Sequence, residues 1–167
     1  VKLKFKKLQR DAKLPAYSKE GDGALDLVAT THSRKFSEDN NCYYLYDELG
    51  FGISVEIPEG HVGLLFPRSS ISDKVQYLTN AVGVVDSNYR GEIKARFKYD
   101  TNELRRSIKS DEHGNLRYSE AYIAPRYDAG DKALQLIVIP IPKLEPEFVE
   151  ELSETNRGSQ GFGSSGQ

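Results

Sequence analysis

The chain has 167 residues, with 23 lysines and arginines against 25 aspartates and glutamates, three histidines and one cysteine. That length suits one hydrophobic core rather than two, and a net charge of -2 argues against a polynucleotide partner, whose groove normally carries a basic excess. Cys42 cannot form an intrachain disulfide by itself, and no charged-then-apolar leader or long apolar span stands out, so the expectation is a soluble, cytoplasmic protein without membrane contact.

In chain order, strand signals dominate. "ISVEIP" (53 to 58), "VGLLFP" (62 to 67), "AVGVVD" (81 to 86), "EIKARFKY" (92 to 99) and "KALQLIVIPI" (132 to 141) are short β-rich runs separated by turns such as "PEGH" and "SNYRGE". In "EIKARFKY", Ile93, Ala95, Phe97 and Tyr99 alternate with Glu92, Lys94, Arg96 and Lys98, the period of a strand with one wet face. Helical periodicity is absent except for a single turn after "RSS", where Ser69 or Ser70 is placed to cap a short helix next to Arg68. The expected fold is therefore an all-β jelly-roll-like barrel or sandwich with at most one short helix. Between Asp100 and Asp128 the pattern gives way to a polar stretch too long for an ordinary connection. The last ten residues before Gln167, "RGSQGFGSSG", read by composition as a flexible tail, yet Arg157 and Phe162 fit poorly in a spacer.

Chemistry is sparse. His32, His61, His113 and Cys42 do not have the spacing of a zinc site, so any metal is oxygen-bound or arrives with a substrate. "GFGSSGQ" has Gln167 where a phosphate loop needs lysine, and no G-x-S-x-G elbow occurs. What remains is a set of polar residues at strand ends. They are Asp26 in "GALDLVA", Arg68 in "PRSS", Asp86 in "NAVGVVDSNYRGE" and Gln135 in "GDKALQL". Singly, each has an ordinary alternative: a turn aspartate, a surface ion pair, a hairpin turn at Asp86-Ser87-Asn88, an exposed strand glutamine.

In this order and spacing, "PRSS", "GVVDSNYRGE" and "RGSQGFGSSG" resemble the motifs of the homotrimeric dUTP pyrophosphatases (dUTPases), over about residues 22 to 166. Three positions depart from the family pattern: Ala24 stands for a usual glycine, Asn88 for a frequent aspartate and Gln160 for a frequent glycine. The resemblance implies hydrolysis of dUTP to dUMP and pyrophosphate with Mg2+, in sites shared among three subunits. It implies that Asn80, Gly83 and neighbouring backbone read the uracil edge in a β-hairpin slot, that Tyr89 packs under the sugar, and that Phe162 stacks on the base. Asp86 would be the general base. Arg68, Ser69 and Ser70 would grip phosphate oxygens, with Arg157, Gly163, Ser164 and Ser165 closing on the γ end. Asp26 and Gln135 would reach the magnesium through its waters, with no direct metal ligand. Residues 1–156 would form one β-domain and residues 157–167 a lid.

Two other readings carry weight. A dCTP deaminase shares the fold and parts of the motifs, and a nucleotide-gated regulatory protein would use hydrolysis to reset binding. Residues 101–124 exceed the common family pattern, as insertions of phage-type dUTPases do. They are either a solvated loop or a docking surface for a regulatory protein, since Arg105, Arg106, Tyr118 and Tyr122 are of interface type.

Overall fold

The computed structural model describes residues 2–35, 46–99 and 126–159, together with the backbone of two short strands at 108–110 and 116–118. The strands, in chain order, are β1 (Lys4–Lys7), β2 (Leu25–Val28), β3 (Thr31–Lys35), β4 (Tyr46–Gly50), β5 (Ile53–Glu56), β6 (His61–Pro67), β7 (Gln76–Leu78), β8 (Gly83–Val85), β9 (Lys94–Tyr99), β10 (Ile108–Ser110), β11 (Leu116–Tyr118) and β12 (Lys132–Pro140). They form two four-stranded antiparallel sheets, ordered β2-β12-β6-β8 and β3-β4-β9-β7, and two two-stranded ribbons, β1-β5 and β10-β11. The result is the jelly-roll-like all-β fold expected from the strand runs. No described helix is long and apolar enough to cross a membrane.

The inner faces of the two sheets meet over a core that includes Leu27, Leu49, Phe51, Phe97, Leu134 and Leu136, each no more than 2% exposed. Alternation explains why these residues are inside. Along β9, Ala95, Phe97 and Tyr99 are buried while Lys94, Arg96 and Lys98 face water. The nine-residue β12 is central because it pairs on both edges, with β2 and with β6. That places Gln135 directly opposite Asp26 on one side and Phe66 on the other.

Two local expectations change. Ser69 and Ser70 do not cap the short helix. Ser69–Asp73 is a 3-10 turn whose cap position is Arg68, in extended backbone and with no side-chain cap bond. The third motif is not a paired hairpin either: β8 joins β6 and β9 joins β4 and β7, so the chain leaves one sheet at Val85 and enters the other at Lys94. Ala24, in contrast, adopts no positive φ, so the missing glycine imposes no strain there. Gln160 lies outside the described residues.

After β12 the chain runs on as an arm. Ile141 N–H bonds to the Gly60 carbonyl at 2.8 Å, and beyond it Leu144, Phe148, Val149 and Leu152 are all more than half exposed.

Candidate active site

Because β8 and β9 diverge, the turn between them borders a cleft of about 510 Å³ between the sheets. Asn80, Gly83, Asp86 and Tyr89 all line it, with Leu65, Val85 and Leu134 among its apolar walls. The backbone around it is shaped for the purpose. Ala81 takes φ +57°, and Val82 N–H closes a tight turn onto the Asn80 carbonyl at 2.5 Å. A residue with a Cβ in that region costs about 1 kcal/mol, and it is the one such residue among those described. Gly83 is buried opposite Leu65 in the β6–β8 ladder, with room for a Cβ only 3.1 Å from the Leu65 Cβ.

The Asp86 turn is held by its own residues. Tyr89 N–H bonds to the Asp86 carbonyl at 3.1 Å, and one Arg90 guanidinium nitrogen donates to the Ser87 and Tyr89 carbonyls at 2.7 and 2.8 Å. Tyr89 is not a core tyrosine: it is 44% exposed, and its hydroxyl donates to the Glu92 carbonyl at 3.0 Å. Its ring lies against Gly91, where any side chain would collide with it. Asp86 itself is exposed to the cleft.

A second cluster forms around Asp26, only 5% exposed. Cross-strand register brings Gln135 Nε2 to 3.4 Å from Asp26 Oδ1, and Arg68, just past the end of β6, sets its Nε 2.9 Å from the same oxygen. That N–H points off the line, so the contact is ionic and Nε makes no hydrogen bond. The other oxygen, Oδ2, accepts from Ser18 Oγ at 2.5 Å and faces Lys132 Nζ at 3.0 Å. Burial pushes the Asp26 carboxyl up. The Ser18 and Lys132 hydrogen bonds, the Arg68 charge and the Gln135 hydrogen bond together outweigh it and hold the pKa below the ordinary value of 3.8. The aspartate is thus a fixed anion that orients Arg68, whose terminal nitrogens make no protein hydrogen bond among the described residues. Sequence reasoning passed over Ser18, Lys132 and Arg90. The signal for Lys132 was within "GDKALQL", three residues before Gln135.

This cluster does not border the cleft: Asp26, Arg68, Ser69, Ser70 and Gln135 are absent from its lining. Ser69 is exposed, and Ser70 Oγ lies 2.9 Å from Tyr127 Oη. Arg157 is exposed on the arm and does not line the cleft. Phe162, Gly163, Ser164 and Ser165 fall outside the described residues, as does residue 101–124 apart from the β10 and β11 backbone.

The donor set bears on magnesium. Both Asp26 oxygens already face cationic or donor groups, a poor direct seat for a divalent ion, whereas Gln135 Oε1 remains as an acceptor. The residues fit an ion that arrives on a polyphosphate and keeps its water shell.

A carboxylate exposed to a cleft, with a separate buried aspartate presenting an arginine, offers a proton acceptor and an anion grip on a jelly-roll-like fold. Comparison with known proteins narrows the class. The dUTPase family pattern matches residues 10–104 and 120–166. The deoxyuridine 5'-triphosphate nucleotidohydrolase of Clostridium tetani is 32% identical over 166 residues, covering 99% of this chain and 97% of its own. A dUTPase variant of Staphylococcus bacteriophage 80alpha with dUpNHpp has the same fold, at TM-score 0.73 and 24% identity over 99% of each chain. The dUTPase of phage phi11 of S. aureus, solved to visualise its species-specific insert, matches at TM-score 0.67 and 25% identity, over 93% of this chain and 100% of that one. The chain belongs to the dUTPase family.

Proposed function

We propose that this chain is a dUTP diphosphatase, hydrolysing dUTP to dUMP and pyrophosphate. The observation that carries the reading is the slot in which Asp86 stands beside Asn80, Gly83 and Tyr89. Asn80 and the backbone at Gly83 read the uracil edge, and the narrow slot excludes a 5-methyl group. The Tyr89 ring, fixed between Gly91 and the Glu92 carbonyl, lies under the sugar and rejects a 2'-hydroxyl. Asp86 takes a proton from a water as its oxygen bonds to the α-phosphorus. The bond from that phosphorus to the bridging oxygen breaks, and pyrophosphate leaves with the electron pair.

Arg68, oriented by Asp26, grips phosphate oxygens with Ser69 and Ser70, which stabilises the charge passing to the leaving group. A bound magnesium would neutralise and chelate the triphosphate, with Gln135 Oε1 and Asp26 reached through its waters. The homotrimer is part of the same reading. The arginine cluster does not line the slot of its own chain, and an arm with exposed Leu144, Phe148, Val149 and Leu152 calls for a second copy to cover it. Residues 157–167 would close over the nucleotide as a lid carrying Arg157, Phe162, Gly163, Ser164 and Ser165.

A regulatory protein-binding role for the 101–124 segment is proposed alongside. The family match skips residues 105–119, where this chain forms the β10–β11 ribbon, which supports a segment added to the common enzyme.

The test is an assay of dUTP, dCTP, dTTP and UTP, scoring pyrophosphate and ammonia, with magnesium and with chelator. Pyrophosphate from dUTP alone, lost on chelation, is expected. Ammonia from dCTP would assign the chain to deaminases. Asp86→Asn is expected to bind dUTP yet hydrolyse it at least about 100-fold more slowly, and near-normal turnover would remove Asp86 as the base.

A further inference from the structure

Tyr127 is 2% exposed. The Phe97 ring lies at 5.5 Å between centroids, and Lys74 Nζ stands 5.2 Å from the centroid of its own ring. Its backbone is pinned as firmly. Tyr127 N–H donates to Gln76 Oε1 at 2.9 Å, and Gln76 Nε2 donates to Asp47 Oδ2 at 2.9 Å. Asp47 is fully buried and also accepts from the Tyr99 hydroxyl at 2.8 Å. A chain of satisfied buried polar groups of this kind has one geometry, because each unpaired member would cost a desolvation penalty.

The phenol at the end of this chain does not point at the core network. Tyr127 Oη meets Ser70 Oγ at 2.9 Å, 57 residues away in sequence. Ser70 sits two residues after Arg68 in a turn whose other anchors are the partly buried Ile71, packed against the core, and Arg68 itself, paired with Asp26. Ser69–Asp73 contains no buried residue, and its other hydrogen bonds are local: Ile71 N–H to the Arg68 carbonyl, Ser72 Oγ to the Ser69 carbonyl, and Lys74 N–H to the Ile71 carbonyl. Among the described residues, the Ser70–Tyr127 bond is the only side-chain hydrogen bond from this turn to another part of the fold, beside the backbone bond from Arg68 N–H to the Ala133 carbonyl at 3.4 Å.

We propose that Tyr127 is a positioning residue for hydrolysis: its hydroxyl holds Ser70, and through it the Arg68–Ser70 turn, where that turn can grip the triphosphate. The inference rests on the phosphate-gripping role given to that turn above. A purely structural tyrosine would serve equally well as phenylalanine, because the ring contacts with Phe97 and Lys74 survive the change. A tether would not.

The experiment is a double-mutant cycle on the full-length protein with Tyr127→Phe, Ser70→Ala and the pair, with Ser70→Thr as the variant that keeps a hydroxyl and Arg68→Ala as a separate control. Active sites are counted by titration with a non-hydrolysable dUTP analogue. Each single change is expected to lower kcat by about threefold to tenfold, the effect of losing one neutral hydrogen bond, while KM for dUTP stays within about twofold. The double variant should be no slower than the worse single, and Ser70→Thr should recover most of the rate. Wild-type kcat in Tyr127→Phe beside an impaired Ser70→Ala overturns the tether, as do losses that multiply in the pair. Should Tyr127→Phe fail to fold, equal loss in Ser70→Ala and Ser70→Thr overturns it from the Ser70 side. Normal turnover in both Arg68→Ala and Ser70→Ala would instead show that the phosphates are gripped elsewhere, and the inference falls with that reading.

Discussion

Asp26→Asn tests whether the buried carboxylate is the electrostatic keystone of the arginine cluster. In the wild type, Oδ2 accepts from Ser18 and faces Lys132, while Oδ1 faces Arg68 and Gln135. An amide must turn its NH2 group toward one cation or the other, so either orientation sets a donor against a donor. Lys132 is 45% exposed, and its share is screened to about 0–1 kcal/mol. The Ser18 hydroxyl contributes more, since a hydrogen bond to a charged group is worth about 1.5–3 kcal/mol, and the Arg68 ion pair, 29% exposed, adds a further share. The expected loss is about 2–4 kcal/mol, which at about 2–4 °C per kcal/mol for a domain of this size lowers the melting temperature by roughly 5–15 °C. Circular dichroism at fixed protein concentration reads it. The pH dependence gives the sign. A carboxylate whose folded pKa lies below its ordinary 3.8 adds stability that is present above that value and lost as pH falls through the folded pKa. The gap between wild type and variant should therefore hold from about pH 7 to pH 5 and narrow below about 3.8. A gap under about 2 °C at neutral pH, or one unchanged in acid, would refute the reasoning.

Removing the residues after Asn156 should leave a folded protein of unchanged oligomeric state, since residues 157–159, the described part of what is removed, are exposed and add nothing to the core, yet slow dUTP turnover about 100-fold by losing the lid. Full turnover in that variant defeats the lid, and mixing it with Asp86→Asn chains should restore part of the rate only if sites are shared between subunits. Replacing residues 101–124 by a short Gly-Ser turn should leave dUTP hydrolysis within about twofold while abolishing capture of a partner from the native host. A still-assembled protein without activity would assign that segment to catalysis, and unchanged capture would leave docking unsupported.

Alternation exposed the strands that carry it. β9 and β12 follow from their residues because one wet face and one dry face repeat every second position. β3 and β4 do not advertise themselves. "THSRK" is polar throughout, and "YDELG" buries a charge, Asp47, whose four partners Arg34, His32, Gln76 and Tyr99 come from three other strands. Burial of such a group depends on contacts that no local window contains. The site divides the same way. Motif spacing named Asn80, Asp86, Tyr89, Arg68, Asp26 and Gln135, because each motif is contiguous. It could not show that β8 and β9 part into different sheets, since a period of two reveals which face is dry but not which neighbour a strand pairs with. That parting is what makes a slot rather than a hairpin surface, and Asp26, Arg68 and Gln135, though carried by the sheet that contains β8, do not line it. On the proposed reading, one nucleotide spans the base slot of one chain and the phosphate grip of another, and the exposed apolar residues of the 141–152 arm supply surface for that association.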